Sequence, residues 1–173
     1  MDRVLTAEPL NTTLHDRNAF DCGIEELNAF LKQHANQNQS KHISKTYVAV
    51  VAISADDRKK IYGYYTLSAG HIQCDQLPDA IKSTLPRYPI PIARIGRLAV
   101  DKDYQGQGIG GFLLHNAFNN ILNIADKMGV YAIVVDAKNN AAKSFYKNYG
   151  FTELQNATLT LFLPTSTIKS AIK

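Results

Sequence analysis

The sequence predicts a mixed α/β or α+β domain whose elements follow the order β-α-β-β-(α)-β-α-β-α-β. Short apolar runs alternate with stretches of helical spacing, and the first half contains a pattern typical of an antiparallel hairpin. A glycine-rich loop then joins one strand to the longest helix, which indicates a βαβ crossover. The 173 residues are 45% apolar and 20% charged, so we expect a single domain over residues 1–173 with a sizeable core.

Apolar periodicity defines the elements of the first half. The predicted elements are a short strand at 3–6, an amphipathic helix at 24–38, two strands at 46–53 and 60–69 that form the hairpin, and a short helix at 77–85. The helix at 24–38 follows a turn-like break at Phe20–Gly23. A cluster of prolines after Leu85 forces extended backbone or turns.

The second half carries the more informative pattern. The predicted elements are a strand at 93–100, a loop at 101–107, a long helix from Gly108 with one apolar face, an almost wholly apolar strand at 130–136, a helix at 139–148 and a last strand at 159–163. Gly150 is a natural glycine just past a helix end. We expect the tail at 165–173 to be peripheral.

Composition narrows the class of protein. The N-terminus lacks a continuous apolar segment, and no apolar run approaches the roughly 18 residues of a membrane span, so we expect no membrane association. Two cysteines cannot form a disulfide framework, which favours a reducing, cytoplasmic location. The five histidines lack metal-ligand spacing, and we expect no metal. A net charge of +4 is compatible with an anionic partner but does not prove nucleic-acid binding.

The loop before the long helix predicts a phosphate site. The first amides of a helix lack intrahelical partners, and the helix dipole adds positive potential there. Glycines let a phosphate approach the backbone without interference from a Cβ atom, so a pyrophosphate is the natural ligand. The residues concerned are Gln105, Gly106, Gln107, Gly108, Ile109, Gly110 and Gly111.

Two other phosphate-binding patterns fit this loop less well. Gly106, Gly108 and Gly111 satisfy the dinucleotide fingerprint G-x-G-x-x-G, and Asp136 ends the following strand. However, several residues separate the loop from its strand, and too little chain follows Gly111 for a doubly wound sheet. A P-loop is excluded because no Gly-Lys-Ser/Thr follows.

Two motifs resemble the acetyl-CoA site of the GNAT superfamily of N-acetyltransferases. The first runs from Arg97 to Gly110 with its core on Gln105, Gly108 and Gly110, and the second runs from Asn139 to Phe151. The resemblance implies the GNAT fold: a twisted, mixed, mostly antiparallel sheet of six to seven strands, about four helices, and a splayed pair of strands that holds acetyl-CoA.

The resemblance also implies roles for single residues. Backbone groups of Leu98, Ala99 and Val100 would pair with the pantetheine arm, and the amides from Gln105 to Gly111 would bind the pyrophosphate. The side-chain amide of Asn139 would bind the cofactor arm, with Ala142 and Phe145 in the same motif. Tyr146 would be the general acid that protonates the leaving thiolate.

The predicted strand at 93–100 lacks the glutamate that serves many acetyltransferases as a general base. At pH 7 a lysine-like amine with a pKa of about 10.4 is neutral roughly 0.04% of the time, and an α-amino group with a pKa of about 7.7 roughly 17%. A strong base would have to supply this difference of about 400-fold. The sequence therefore favours an α-amino substrate.

Motifs in the N-terminal half are similar to those of GNAT toxins from type II toxin–antitoxin modules. They include Phe20-x-Cys22-Gly23, Gly63-Tyr64-Tyr65 and the segment 159–164, and the resemblance runs from about Glu8 to Pro164. It implies acetylation of the α-amino group on charged tRNA, a block of translation, and neutralisation by a ribbon-helix-helix antitoxin. DNA would be bound only through that antitoxin, and a homodimer is implied by the resemblance alone.

A tRNA substrate requires basic surface around the entrance to the site. The candidates are Lys32, Lys41, His42, Lys45, Arg87, Arg94 and Arg97. Arg94 and Arg97 are preferred because a strand with two arginines beside the active centre is expected to have an anionic partner. Lys41 and Lys45 come next. Two alternatives stay open: a GNAT enzyme that acetylates a small amine or a protein N-terminus, and a cofactor-binding subunit of a DNA-bound repressor complex.

Overall fold

The computed structural model describes residues 4–55 and 57–172. The strands are β1 (Leu5–Pro9), β2 (His15–Asp16), β3 (Lys45–Val51), β4 (Lys59–Lys60), β5 (Gly63–Ile72), β6 (Ile90–Val100), β7 (Ala132–Asp136), β8 (Thr152–Leu154) and β9 (Ala157–Pro164). The α-helices are α1 (Glu25–Ala29), α2 (Ala35–Ser40), α3 (Asp79–Lys82), α4 (Ile109–Ala125), α5 (Asn140–Asn148) and α6 (Thr165–Ile172). A π-helical turn (Phe30–His34) joins α1 to α2, and 3₁₀ turns lie at Cys74–Gln76 and Lys102–Tyr104.

Seven of these strands form one mixed sheet in the order β1-β3-β5-β6-β7-β9-β8. The fold class predicted from the sequence is confirmed, because the pairs β1–β3, β3–β5, β7–β9 and β8–β9 are antiparallel while β6–β7 is parallel. The chain divides into two compact units. The first comprises the chain up to Ser68 with Arg97–Ala117, and the second comprises Ala69–Gly96 and the chain from Phe118.

The core of the first unit is built around Tyr64. Its side chain is fully buried, its ring packs edge-on against Phe20 and stacks with Phe30, and its hydroxyl donates to the carbonyl of Leu27 at 2.7 Å. That hydrogen bond satisfies the one polar atom of a large buried side chain. The core cluster comprises Leu10, Phe20, Cys22, Leu27, Phe30, Leu31, Ala35, Val48, Val50, Ile61, Tyr64 and Ala99.

The core of the second unit is the face of β6, β7 and β9. β6 pairs with β7 from Ile92–Ala132 to Ile95–Val135, and β7 pairs with β9 from Ala132–Pro164 to Asp136–Thr160. The buried cluster comprises Ile72, Leu77, Ile90, Ile92, Ala132, Val134, Leu154 and Phe162. The nearly continuous apolar sequence of β7 is explained by its central place between two paired strands.

The structure corrects several predicted elements. The helix predicted at 24–38 runs from Glu25 to Ser40 and contains the π-helical turn, in which the Ala35 amide donates to the Phe30 carbonyl five residues earlier. The strand predicted at 3–6 is β1, and residue 3 lies outside the described residues. β2, β4 and β8 were not predicted, because strands of two or three residues are too short to show a period.

The predicted tail at 165–173 is largely the helix α6. Thr165 anchors its start, because its amide donates to the Tyr131 carbonyl and its hydroxyl to the Val130 carbonyl, both at 2.8 Å. Ile168 is only 3% exposed, so the helix buries an apolar side chain in the second unit. The segment predicted to be a peripheral tail is thus a helix that is attached through Thr165 and one buried side chain.

Candidate active site

The loop between β6 and α4 has the backbone that a phosphate site requires. Gly106 and Gly108 have φ angles of +78° and +82°, and a Cβ atom built on either would meet no atom within 4 Å. These glycines are needed for their left-handed conformation, while the space in front of them is open. The helix begins at Ile109. The first hydrogen bond of its i to i−4 ladder is donated by the Phe112 amide to the Gly108 carbonyl at 3.0 Å. The amides ahead of Phe112 have no partner in the helix and can receive an anion.

Side chains of the first unit hold this loop in place. The side-chain nitrogen Nε2 of Gln105 donates to the backbone carbonyls of Val100 at 3.0 Å and Cys22 at 3.3 Å. The buried Asp101 carboxylate accepts from the amides of Asp103 at 3.0 Å and Asp21 at 3.3 Å. Gln105, predicted to contribute its backbone amide, therefore also ties the loop to the turn before α1.

The turn before α1 is itself stabilised by a carboxylate. Hydrogen bonds from the Gly23 amide, then from the Asn28 side chain and the Lys102 ammonium, hold the pKa of Asp21 well below its ordinary value. The sequence did not reveal that Asp21, Asn28 and Asp101 stabilise this region. Their hydrogen-bond partners are either distant along the chain or part of an ordinary turn.

The end of β6 continues after its pairing with β7 has stopped. The β6–β7 register ends at Ile95–Val135, but β6 extends to Val100. The segment predicted to pair with the pantetheine arm, Leu98, Ala99 and Val100, lies in this extension. Ala99 is buried and its two neighbours are half-buried. Backbone groups of a strand that has left its neighbour are available to pair with an extended ligand.

The second predicted motif opens α5. Asn139 is the N-cap of this helix, and its side-chain oxygen accepts from the Ala142 amide at 2.9 Å. The exposed side chain keeps its amide NH₂ group for donation, which is the role that the resemblance assigns to it. Phe145 is half-buried and packs against Tyr146 and Tyr149, with ring centroids 5.3 and 5.1 Å apart.

Tyr146 is the buried aromatic side chain of α5. It is 4% exposed, and its ring packs edge-on against Phe145 and Phe151. Burial, and secondarily the negative charge of Asp136, raise the pKa of Tyr146 far above its ordinary value. Within the described residues its hydroxyl makes no hydrogen bond. The side chain therefore keeps its proton at neutral pH and holds it ready for an incoming acceptor.

The predicted substrate-binding residues have different surroundings. Arg94 Nη1 donates to both carboxylate oxygens of Asp136, at 2.9 and 2.8 Å. The anionic partner expected for this arginine is therefore a residue of the same chain. The guanidinium of Arg97 lies 3.6 Å from the centroid of the Phe30 ring, a cation–π contact beside the π-helical turn. Lys41 follows α2 and Lys45 starts β3, and both are exposed.

Asp136 is the functional candidate that sequence reasoning misplaced. The sequence signal was present, because this acid ends a buried strand, but it was considered only as the ribose-binding acid of a dinucleotide fold. In the structure it joins Arg94 and influences Tyr146. The described residues contain no cluster of three or more metal-ligating side chains, and none of their helices is long and apolar enough to cross a bilayer.

Comparison with known proteins decides the family. The protein-family model described as acetyltransferase (GNAT) domain matches residues 44–153. The chain belongs to the GNAT acetyltransferase family. It is 33% identical to the probable toxin TacT of Sinorhizobium fredii (strain NBRC 101917 / NGR234), over 94% of this chain and 92% of the relative.

Solved GNAT structures extend the likeness to almost the whole chain. One is AtaT complexed with acetyl-methionyl-tRNAfMet, at 32% identity and a TM-score of 0.89, covering 98% of this chain and 100% of the other. A second is a tyrosine-to-phenylalanine mutant of AtaT bound to the C-terminus of the antitoxin AtaR and acetyl-CoA. It has 30% identity and a TM-score of 0.82, covering 98% of each chain.

Proposed function

We propose that this GNAT acetyltransferase is a toxin that transfers the acetyl group of acetyl-CoA to the α-amino group of an aminoacyl-tRNA. An N-acetylated aminoacyl group has no nucleophilic amine for peptide-bond formation, so its accumulation blocks translation. The observation that carries the proposal is the likeness over 98% of the chain to AtaT in complex with an acetylated aminoacyl-tRNA. The substrate preference inferred from the predicted strand at 93–100, which lacks a glutamate base, points to the same α-amino group.

The residues of each motif fit acetyl-CoA. The loop at Gly106 and Gly108 would receive the pyrophosphate on backbone amides, and the free end of β6 at Leu98–Val100 would pair with the pantetheine amides. Acetyl-CoA supplies an activated thioester whose carbonyl carbon accepts the amine. Gln105, Gly110, Gly111, Asn139 and Ala142 complete the set of proposed cofactor contacts.

Tyr146 would donate its proton to the departing thiolate. A buried, neutral phenol can act as this donor, because its proton remains on the hydroxyl until the thiolate forms beside it and the acylated nitrogen returns a proton to the same oxygen. A general acid of this kind contributes roughly 10²–10⁴ in rate, or about 3–5 kcal/mol of barrier.

The partners follow from the same likeness. We expect an antitoxin whose C-terminal segment binds the toxin, as the C-terminus of AtaR binds AtaT, and DNA contact through the ribbon-helix-helix half of that antitoxin. A homodimer in the cytoplasm completes the proposal. Arg97, Lys41 and Lys45 are the proposed contacts to tRNA phosphates, and Arg94 would act there only after releasing Asp136.

The test is acetyl transfer from labelled acetyl-CoA to total charged tRNA, with three forms of the chain. Wild type should label the aminoacyl group, Tyr146→Phe should lose roughly 10²–10⁴ in kcat and be harmless when expressed alone, and Tyr149→Phe should keep both activity and toxicity. Tyr149 is the matched control because it lies on the same segment, contacts Phe145 and is 43% exposed. Label found only on polyamines or protein N-termini would instead identify the other enzymatic alternative.

A further inference from the structure

The carboxylate of Asp136 is held in place by neighbouring strands of the second unit. Asp136 is the last residue of β7, and Arg94 on β6 donates from Nη1 to both of its oxygens. The hydroxyl of Thr160, its register partner on β9, donates to Oδ1 at 3.4 Å. Two strands therefore fix the orientation of one side chain.

This carboxylate still has room for a further donor. A carboxylate offers about four lone-pair directions. Arg94 occupies one on each oxygen and Thr160 a second on Oδ1, which leaves one on Oδ2. The side chain is 44% exposed, so a ligand can reach the carboxylate.

Asp136 also lies within electrostatic range of the catalytic tyrosine. Burial is the larger cause of the raised pKa of Tyr146, and the negative charge of Asp136 adds to it, so the two side chains interact electrostatically. Among the described residues, Arg94 from β6 forms an ion pair with Asp136 and Thr160 from β9 contributes an uncharged hydroxyl, while Tyr146 on α5 is a titratable group affected by the charge of Asp136. Lys138 follows on the loop that leads to α5.

We propose that Asp136 receives the α-ammonium group of the aminoacyl substrate and accepts its first proton, with Arg94 and Thr160 as positioning residues. The inference rests on the proposed function and names the group that recognises the amine. At pH 7 about five in six α-amino groups are protonated, so the substrate arrives as a cation that an exposed carboxylate attracts. Because an α-amino group needs no strong base, this role of Asp136 is compatible with the absence of a glutamate from the strand at 93–100.

The protons and bonds balance as follows. The α-ammonium gives one proton to Asp136, and the freed lone pair forms the C–N bond to the acetyl carbon as the C–S bond breaks. Asp136 passes its proton to water only after that step. Tyr146 gives its proton to the sulfur. The second proton of the nitrogen returns to the Tyr146 oxygen. Each turnover therefore releases one proton to solvent and one thiol, with the tyrosine restored.

The experiment compares Asp136→Asn with Asp126→Asn, an exposed acid at the end of α4 that removes the same charge. We measure kcat/KM for charged tRNA between pH 6.5 and 8.5 at saturating acetyl-CoA. An enzyme that must wait for the neutral amine loses about 15-fold between pH 8.5 and 6.5, because the neutral fraction falls by that factor. We expect this loss in Asp136→Asn. We expect no loss as the pH falls in wild type and Asp126→Asn, because the protonated amine that they bind becomes more abundant. The KM for acetyl-CoA should stay the same in all three.

A second measurement uses charged tRNA whose α-amino group has been replaced by a hydroxyl. Binding is measured with coenzyme A in place of acetyl-CoA. Wild type should bind the aminoacyl form at least about tenfold more tightly than the hydroxyacyl form at pH 6.5, and this preference should fall as the pH passes about 7.7. Asp136→Asn should bind both forms alike. If the variant does not fold, the pH dependence of the wild-type preference decides alone.

The outcomes separate the two proposals. Parallel pH profiles in all three proteins, or a wild-type preference that ignores pH, would overturn the role of Asp136 while leaving tRNA acetylation intact. A wild-type chain that labels no charged tRNA at any pH would overturn the proposed function itself.

Discussion

The conformation of Gly108 allows the phosphate loop to be tested by one substitution. Its φ angle is +82°, and a Cβ atom added there would meet no protein atom within 4 Å. Gly23 has a φ angle of +88° and the same empty surroundings, but it lies in the turn before α1, where its amide donates to Asp21 at 2.9 Å. Gly108→Ala and Gly23→Ala therefore impose the same backbone strain, and only the first adds a methyl group at the proposed ligand site.

The two variants should differ in binding and not in stability. A left-handed conformation costs an alanine about 1–2 kcal/mol, which lowers Tm by roughly 2–8 °C in a chain of this length. Because no protein atom opposes either methyl group, this strain is the whole cost of the change in the free protein. In Gly108→Ala the methyl group also occupies space that the pyrophosphate needs, so we expect acetyl-CoA affinity to fall at least about tenfold, or 1.4 kcal/mol.

Calorimetric titration with acetyl-CoA and thermal unfolding without it provide the two readouts. Gly23→Ala should bind acetyl-CoA within about twofold of wild type despite its lower Tm. If both variants bind equally well, the pyrophosphate does not lie against Gly108 and the anion site has been misplaced. If both lose affinity equally, the loss reflects the strain shared by the two turns.

Two further predictions concern stability. Gly63→Ala should lower the free energy of unfolding by about 1–3 kcal/mol, because the new Cβ atom would lie 2.8 Å from the carbonyl oxygen of Ala99, a backbone atom that cannot turn away; urea unfolding that matches wild type would contradict this. Hydrogen bonds from Lys147 and Lys143 lower the pKa of Glu153 from 4.5 to about 2. Its contribution to stability is thus present above pH 4.5 and lost as the pH falls towards 2, so Glu153→Gln should differ from wild type at pH 7 and converge with it over that window.

Local signals made much of the fold predictable. The β3–β5 hairpin and the strand–loop–helix from β6 to α4 follow from side-chain period and glycine placement, and the structure confirms them. Gly106 and Gly108 lie in the predicted loop, but their left-handed conformation was not part of that prediction. The N-cap role of Asn139 was not foreseen, although it is a local signal that the motif contains.

Contacts between distant residues could not be predicted in this way. Arg94 and Asp136 are 42 positions apart, and their pairing depends on the parallel register of β6 with β7, which no periodicity reveals. The π-helical turn was missed because a single extra residue barely changes the helical spacing of apolar side chains. The same turn presents Phe30 to Arg97, so the surroundings of that predicted substrate residue depended on a feature invisible in the sequence.

The burial of Tyr146 restricts what the residue can do in catalysis. A raised pKa excludes a tyrosinate at neutral pH, so the side chain can act as an acid and cannot serve as the base that activates the amine. A tyrosine of ordinary pKa, about 10, is already a weaker acid than a thiol of pKa about 8.5, and the shift widens this difference, so transfer of its proton to the thiolate is uphill when it occurs alone. The transfer becomes favourable if the nitrogen, acidic once it carries the new C–N bond, returns a proton to the same oxygen. The first proton must then leave by another route, and in our proposal it goes to Asp136, whose carboxylate is held by Arg94 and Thr160.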